Sequence, residues 1–205
     1  MKPVALALLL AAFLFSCNDS NSDTQAVEND TTQSNTGKPS LSAALDKLRL
    51  TLQAGQKEDI VDLISFPLTE SQMDLYVDDS LFQQDFVAAG NKLTRDLFLK
   101  HYDKIAKFTY LDEIGNVFSH LSIDSLAHNS EIKKEYKDKE EPCTKYYSLA
   151  VDNNLVTLKF GTNPNQEFIS KEGDTDAIAG CEYAVFWTFR YEDGKLRFVK
   201  QAAAG

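Results

Sequence analysis

Apolar residues between positions 41 and 108 recur every three or four residues, the spacing that places them on one face of an α-helix. The first run lies between Ser40, a residue type that caps helix N-termini, and Gly55, a natural helix end. A second, short run ends before Pro67, and a third follows the capping residue Thr94. The apolar positions of these three predicted helices are Leu41, Ala44, Leu45, Leu48 and Leu52; Ile60, Val61 and Ile64; and Leu97, Phe98, Tyr102 and Ile105.

Two stretches outside these runs have a less regular pattern. Residues 68–93 are ambiguous, although Phe82, Phe86 and Val87 favour one more helix closed by the following Ala-Gly pair. Residues 128–142 are polar and charged, which predicts a solvated loop or an exposed helix.

From Cys143 onward the spacing of apolar residues changes to two, the period of a β-strand with one buried face. Asp152-Asn153-Asn154 predicts a turn between the first two strands, and residues 166–180 are predicted to be a loop. Helices followed by antiparallel strands predict the α+β fold class. The alternating positions are Tyr147, Leu149 and Val151; Val156, Leu158 and Phe160; and Tyr183, Val185, Trp187, Phe189 and Tyr191.

The last two strands are separated by Asp193-Gly194, a strong signal for a tight hairpin turn. A two-residue turn pairs Tyr191 with Leu196 and Phe189 with Phe198. Both rows of side chains would then face the same core.

The chain begins with a short apolar segment. Lys2 supplies one positive charge, and an unbroken apolar run follows from Pro3 to Phe15. As a helix this run would be about 20 Å long, whereas the hydrocarbon core of a bilayer is about 30 Å thick. The run is therefore too short to span a membrane and is typical of the apolar region of a signal peptide.

The end of that run, Leu14-Phe15-Ser16-Cys17, resembles the bacterial lipobox. The resemblance implies that residues 1–16 are a signal peptide removed on export and that the Cys17 thiol carries a diacylglyceryl group. The new amino group of Cys17 is often acylated as well, with a fatty acid such as palmitate. The protein would then be anchored to a membrane of the bacterial envelope, the outer membrane by preference, with its domain in the periplasm or at the cell surface.

Residues 17–40 comprise this cysteine and a polar tether. Ala26 and Val27 are the only aliphatic residues between positions 18 and 40, too few to offset the entropy of ordering the segment. We therefore predict a disordered tether with a reach of roughly 25 Å. Residues 41–205 are predicted to form a single domain.

The chain has three cysteines. If Cys17 is lipidated, Cys143 and Cys181 remain in a compartment that permits disulfides, and each begins a strand region. These observations predict a disulfide between Cys143 and Cys181, the alternative being two buried free thiols.

Three segments together resemble the cystatin-like cone fold, the superfamily of nuclear transport factor two and ketosteroid isomerase. They are the helical region ending in Ile64–Leu68, the helix around Phe98–Asp103 and the terminal hairpin with Asp193–Leu196. The resemblance covers residues 41–205 and extends to exported lipoproteins with this fold. It implies a curved sheet around helices, with a pocket inside the cone. It does not imply catalysis, because the same cone serves enzymes and pure binders.

Four residues are candidates for lining that pocket. His101 lies near the apolar face of its helix beside Tyr102, where it would act as an acid or base or would be an ordinary core histidine. Trp187 and Phe189 would stack on a sugar or an apolar ligand, or would be plain core. Because no catalytic, phosphate-binding or metal-binding motif occurs, we assign no catalytic residue, no metal and no cofactor.

The net charge of −10 and the absence of a basic stripe argue against nucleic-acid binding. The leading hypothesis is a lipoprotein, attached to the membrane by its lipid anchor, whose non-catalytic domain binds a small apolar ligand or an envelope protein. Two alternatives are an enzyme that uses the cone pocket, as ketosteroid isomerase-like proteins do, and an envelope assembly protein.

Overall fold

The structure, a computed structural model, describes residues 39–138, 140–172 and 180–205. These residues belong to one unit, Gly37–Gly205. The predicted signal peptide, Cys17 and the tether up to residue 38 lie outside the described residues.

Apart from one short helix between two strands, the helices of the described chain precede the strands, so the fold class is α+β, as predicted. No helix in the described ranges is both long and apolar enough to cross a bilayer. The helical part consists of α1 (Leu41–Ala54), α2 (Lys57–Val61), α3 (Ser80–Ala88), α4 (Arg95–Lys100), α5 (Tyr102–Phe108), α6 (Leu111–His120) and a 3-10 turn (Ile123–Ala127). The strands are β1 (Glu131–Tyr136), β2 (Cys143–Asp152), β3 (Leu155–Pro164), β4 (Tyr183–Glu192) and β5 (Lys195–Ala204), with α7 (Gln166–Glu172) between β3 and β4.

The five strands form an antiparallel sheet in which each strand pairs with its neighbour in sequence. The predicted hairpin is confirmed, since Tyr191 pairs with Leu196 and Phe189 with Phe198. A β-bulge follows at Val199, after which Gln201 pairs with Trp187. The bulge shifts the alternation by one residue and places the polar side chain of Gln201 in a buried position.

The core lies between one face of the sheet and the helices. Trp187 and Phe189 are almost completely buried, and the Trp187 indole Nε1 donates a hydrogen bond to the backbone oxygen of Thr109 at 3.1 Å. This bond connects the centre of β4 to the end of α5. Helix α1 contributes its predicted apolar face, of which the buried members are Ala44, Leu45, Leu48 and Leu52.

The predicted helix caps are confirmed. The Ser40 hydroxyl accepts from the Ala43 amide at 3.3 Å, and Gly55 ends α1 in the left-handed region at φ 63°. The Thr94 hydroxyl accepts from the Leu97 amide at 3.3 Å. The helix that follows is divided, however, because His101 leaves helical geometry and separates α4 from α5.

Two predictions about irregular segments were wrong. Residues 131–136, within the polar stretch 128–142, form the edge strand β1. Their extended conformation comes from pairing with β2, and the charged side chains around Lys133 carry no alternating apolar pattern that would predict it. Residues 166–172 of the predicted loop form α7, where the Asn165 side chain accepts from the Glu167 amide at 3.2 Å. Residues 173–179 of that loop lie outside the described residues.

Two further helices differ from the sequence-based expectation. Helix α2 ends before Pro67 as predicted, but it already ends at Val61, so Ile64 lies outside it. Helix α6 was not predicted, although five of its residues are buried. The helix favoured by Phe82 and Phe86 is present as α3.

The predicted disulfide joins Cys143 and Cys181, whose Cα atoms are 5.3 Å apart. It connects the first residue of β2 to the segment before β4. The two cysteines are 38 residues apart in the chain, so the bond closes a loop that contains all of β3 and α7.

We expect the double variant Cys143→Ala with Cys181→Ala to lose roughly 3 to 4 kcal/mol of unfolding free energy, because the unfolded chain is no longer constrained by the closed loop. Urea unfolding followed by tryptophan fluorescence measures the loss. A reductant should destabilise the natural protein to the same extent and leave the double variant unchanged. Equal stability of the oxidised protein and the double variant would contradict this expectation.

Candidate ligand-binding site

A cavity of about 610 Å³ opens at the end of the sheet where β4 begins and β5 ends, and we call it the mouth cavity. Its volume lies in the range of small-molecule sites. Four separate segments of the chain build it: the loop before α3, the second half of α5 with the residues after it, the start of β4 and the end of β5. The lining residues are Asp74, Val77, Asp78, Asp79, Lys104, Lys107, Phe108, Tyr110, Tyr183, Gln201 and Ala203.

The aromatic wall of the mouth cavity is centred on Tyr110, which joins α5 to α6. Its ring centroid lies 4.9 Å from that of Tyr183 and 5.9 Å from that of Phe160, while 40% of the residue stays exposed. The Tyr110 backbone is left-handed, at φ 53° and ψ 40°, a conformation that costs a non-glycine residue of order 1 kcal/mol or more. The fold therefore keeps a strained tyrosine at the edge of the cavity.

Contacts on both sides of Tyr110 explain why the chain turns there. Thr109 is fully buried, its hydroxyl donates to the Ile105 oxygen at 2.8 Å, and its own backbone oxygen accepts the hydrogen bond from Trp187. The Tyr110 oxygen then accepts from the Ile114 amide at 3.0 Å and begins α6. Trp187 thus determines the position of the aromatic wall from the layer beneath it.

Charged groups of both signs also line the mouth cavity. Asp79 caps α3 by accepting from the Phe82 amide at 2.8 Å and also pairs with Lys104. The hydrogen bond from Lys104, followed by that from the Phe82 amide, lowers the pKa of Asp79. Lys107 and Asp78 also line the cavity and form no ion pair with any described residue, so their charges are accessible to a ligand.

The loop before α3 carries Asp74, Asp78 and Asp79, and we call it the acidic loop. Two glutamines attach it to the rest of the domain. Gln201 is buried, and its Oε1 accepts from the Asp74 amide at 2.8 Å while its backbone amide donates to the Gln72 oxygen at 2.7 Å. On the other side of the loop, the Gln83 side chain donates to the Val77 oxygen at 2.9 Å. These bonds hold the loop against β5 and α3.

The Tyr183 hydroxyl keeps its proton over the whole physiological range. Burial, and then the neighbouring Tyr110, raise the pKa of Tyr183 above its ordinary value. Tyr183 therefore faces a ligand as a neutral hydrogen-bonding group and is poorly suited to removing a proton. The arrangement favours stacking, hydrogen bonding and ion pairing.

A second cavity of about 320 Å³ adjoins the first, and we call it the side cavity. The two share Asp74, Gln201 and Ala203. The side cavity adds Glu70 and Tyr76, and 85% of Tyr76 is exposed.

His101 and Tyr102 do not line the mouth cavity. The side chain of His101 is 3% exposed, and its Nε2 lies 2.7 Å from Asp85 Oδ2, so it links the α4–α5 junction to α3. Hydrogen bonds from Lys100 and then His101 lower the pKa of Asp85. The Tyr102 hydroxyl donates to the Gly55 oxygen at 3.3 Å.

Trp187 and Phe189 lie in the core next to one another, 1% and 0% exposed. The structure therefore does not bring the four sequence-predicted residues together in one site, and their role toward a ligand stays a prediction. Tyr110, Lys107 and the acidic loop were not identified from the sequence. No local signal marks them, because Tyr110 occupies a left-handed position without being glycine, and the cavity combines distant segments.

A second titratable cluster connects α6 to β2. Glu113 Oε2 accepts from the Tyr147 hydroxyl at 2.8 Å, and the His120 ring lies 4.2 Å from the rings of both Tyr136 and Tyr147. Burial alone would raise the pKa of Glu113, but the hydrogen bonds from Tyr147 and Asn116, together with Lys145, lower it. Burial and the bond to Glu113 raise the pKa of Tyr147.

Within the described ranges, no group of three or more His, Cys, Asp or Glu side chains is arranged to hold a metal ion.

No protein family, curated protein or solved structure matches the chain. What can be inferred about its activity therefore comes from its own residues.

We expect the free energy of unfolding to fall as the pH rises above about 10, the ordinary pKa of tyrosine. Above that pH the unfolded chain releases the protons of Tyr147 and Tyr183, whereas the folded state keeps them. The contribution of these two protons to the free energy of unfolding is therefore complete below that pH and is lost above it. Urea unfolding between pH 8 and pH 11 measures the slope. Tyr183→Phe and Tyr147→Phe should each make the fall less steep, and an unchanged slope in both variants would contradict the assignment.

Proposed function

We propose that the protein is an exported bacterial lipoprotein, anchored through Cys17, whose domain binds a small ligand without catalysing a reaction. The observation that carries the proposal is the mouth cavity, with its wall of Tyr110 and Tyr183 facing charged groups of both signs. A ligand that fits this cavity has a flat or apolar face for the aromatic rings and polar groups at its edge.

We propose further that the domain is a cystatin-like cone. Two observations support this assignment. Helices precede an antiparallel sheet, as the resemblance implies, and the largest of the cavities described above lies where the helical layer meets one end of the sheet.

Export is supported by two features. The lipobox-like segment ending in Cys17 predicts lipidation, and the disulfide between Cys143 and Cys181 is of the kind that persists in oxidising compartments. A polar tether between the anchor and the domain would keep the domain clear of the headgroups.

The first described residue, Pro39, lies far from the mouth cavity. The Tyr191 hydroxyl donates to the Pro39 oxygen, and a side chain at Gly194 would collide with the Pro39 ring, so the described chain starts beside the β4–β5 turn. The mouth cavity lies at Tyr183, at the other end of the ten-residue strand β4, about 30 Å away.

Binding is favoured over catalysis by the protonation states of the groups around the cavity. The raised pKa of Tyr183 keeps its phenol neutral, and the lowered pKa of Asp79 keeps its carboxylate ionised beside Lys104. A general acid or base works best with a pKa near the ambient pH. Both shifts move these groups away from that condition.

We expect Cys17→Ala to move the protein from the membrane fraction to the soluble fraction, because the thiol that carries the diacylglyceryl group is lost. Fractionation of expressing cells, followed by immunoblotting, measures the distribution. The double variant Cys143→Ala with Cys181→Ala is the matched control, since it removes cysteines but keeps Cys17, and it should stay in the membrane. Equal distribution of Cys17→Ala and the natural protein would overturn the anchor.

We expect the full exported chain, purified in mild detergent, to have a greater native mass than denatured mass, by the mass of one bound small molecule. Tyr110→Ala should lose this increment because the stacking surface is removed, and Lys107→Glu should reduce it while leaving the core intact. Val87→Ala, at an exposed position on α3, is the control and should keep the increment. An increment that persists in both cavity variants would place the ligand elsewhere, and no increment at all would contradict tight binding.

A further inference from the structure

The edge of β5 leaves one backbone position open beside the mouth cavity. Outward-facing amides of β5 donate to neighbouring loops, from Phe198 to the Leu63 oxygen at 2.8 Å and from Gln201 to the Gln72 oxygen at 2.7 Å. Outward-facing groups recur every second residue of an antiparallel strand, so Ala203 is the next residue to face outward. Ala203 is exposed, and no loop among the described residues accepts a hydrogen bond from its amide, which the alternation places on the open side of β5.

Ala203 also lies between the two cavities and lines both of them. An unpaired strand edge with a pocket on each side is the geometry by which domains accept an extended peptide as an additional strand. Backbone hydrogen bonds to the edge supply affinity, and alternate side chains of the peptide reach the flanking pockets.

We propose that the edge of β5 at Ala203 binds an extended, basic peptide segment. One apolar or aromatic side chain of the peptide contacts Tyr110 and Tyr183 in the mouth cavity, and a lysine or arginine side chain enters the side cavity beside Glu70 and Asp74. This inference rests on the proposed function, because it names the ligand class of the same site.

Charge decides which peptide fits. Glu70, Asp74, Asp78 and Lys107 form no ion pair with a described residue, and Lys104 is already paired with Asp79, so three carboxylates stand against one unpaired ammonium group. The residual field at the open edge is therefore negative, and it attracts a basic peptide.

The length of the open edge limits what can bind. Leu63 and Gln72 already occupy the edge from Phe198 to Gln201, so only the last residues of β5 are free. A short open edge of this kind accepts a few residues of one peptide and resists the sheet-to-sheet association to which long exposed edges are prone.

The test uses the full exported chain in detergent and two fluorescently labelled peptides of about eight residues, a typical strand length, one alternating Tyr and Lys and the other alternating Tyr and Glu. Fluorescence anisotropy should show binding of the Tyr-Lys peptide at least about tenfold tighter than binding of the Tyr-Glu peptide. Ala203→Pro removes the outward amide and should weaken the Tyr-Lys peptide about fivefold, the effect of one hydrogen bond. Ala203→Ser keeps the amide and should bind the Tyr-Lys peptide more tightly than Ala203→Pro does.

Asp74→Asn tests the side cavity separately. The asparagine oxygen can still accept from the Tyr76 amide, as the Asp74 carboxylate does at 3.1 Å, so the loop should keep its shape while the charge is lost. We expect weaker binding of the Tyr-Lys peptide and a smaller dependence of that binding on salt.

Four outcomes would overturn the peptide inference. Equal binding of the two peptides would contradict the charge argument, and equal binding by Ala203→Pro and Ala203→Ser would show that the strand edge is not used. If neither peptide binds, but the natural protein carries a mass increment that Tyr110→Ala loses, the peptide inference fails while small-ligand binding stands. If neither peptide binds and no increment is found, both the inference and the proposed function fail.

Discussion

The hydrogen bond from Trp187 to the backbone oxygen of Thr109 connects the two layers of the domain at the place where function is proposed. An indole N–H buried in the core must find an acceptor, because leaving it unpaired would cost of order 1 to 3 kcal/mol. Thr109 supplies that acceptor at the end of α5 and is itself fully buried. The next residue, Tyr110, then has little freedom and turns into the left-handed region at the edge of the mouth cavity.

Several residues that line the cavity are held in place by hydrogen bonds or ion pairs. Gln201 connects the acidic loop to β5, Gln83 connects it to α3, and Asp79 both caps α3 and pairs with Lys104. The β-bulge at Val199 is part of this arrangement, because without it the side chain of residue 201 would face the other side of the sheet. Gln201, Gln83 and Asp79 are thus bonded to partners within the domain, whereas the charges of Lys107 and Asp78 are not paired with any described residue. This division suits a binding site that is formed before its ligand arrives.

Several features could be predicted from the sequence because they depend on local chemistry. Ser40 and Gly55 mark the ends of α1, and Asp193-Gly194 forms the hairpin that pairs Phe189 with Phe198. The disulfide followed from cysteine counting and the expected compartment. Residues 131–136 were not recognised as a strand, because an edge strand carries charges on its exposed positions and receives its extended form from pairing with β2.

The sequence by itself determined the fold class, the caps, the terminal hairpin and the cysteine pairing, since each depends on residue type and near neighbours. It also contains the lipobox-like segment, whose role needs no folded structure to be proposed. Only the tertiary structure decided that His101 pairs with Asp85, and that Trp187 lies beneath the site as part of the core. The tertiary structure also formed the mouth cavity, because the walls of the cavity come from segments that are more than 100 residues apart in the chain. Their proximity results from packing and strand register, which no local pattern of residues records.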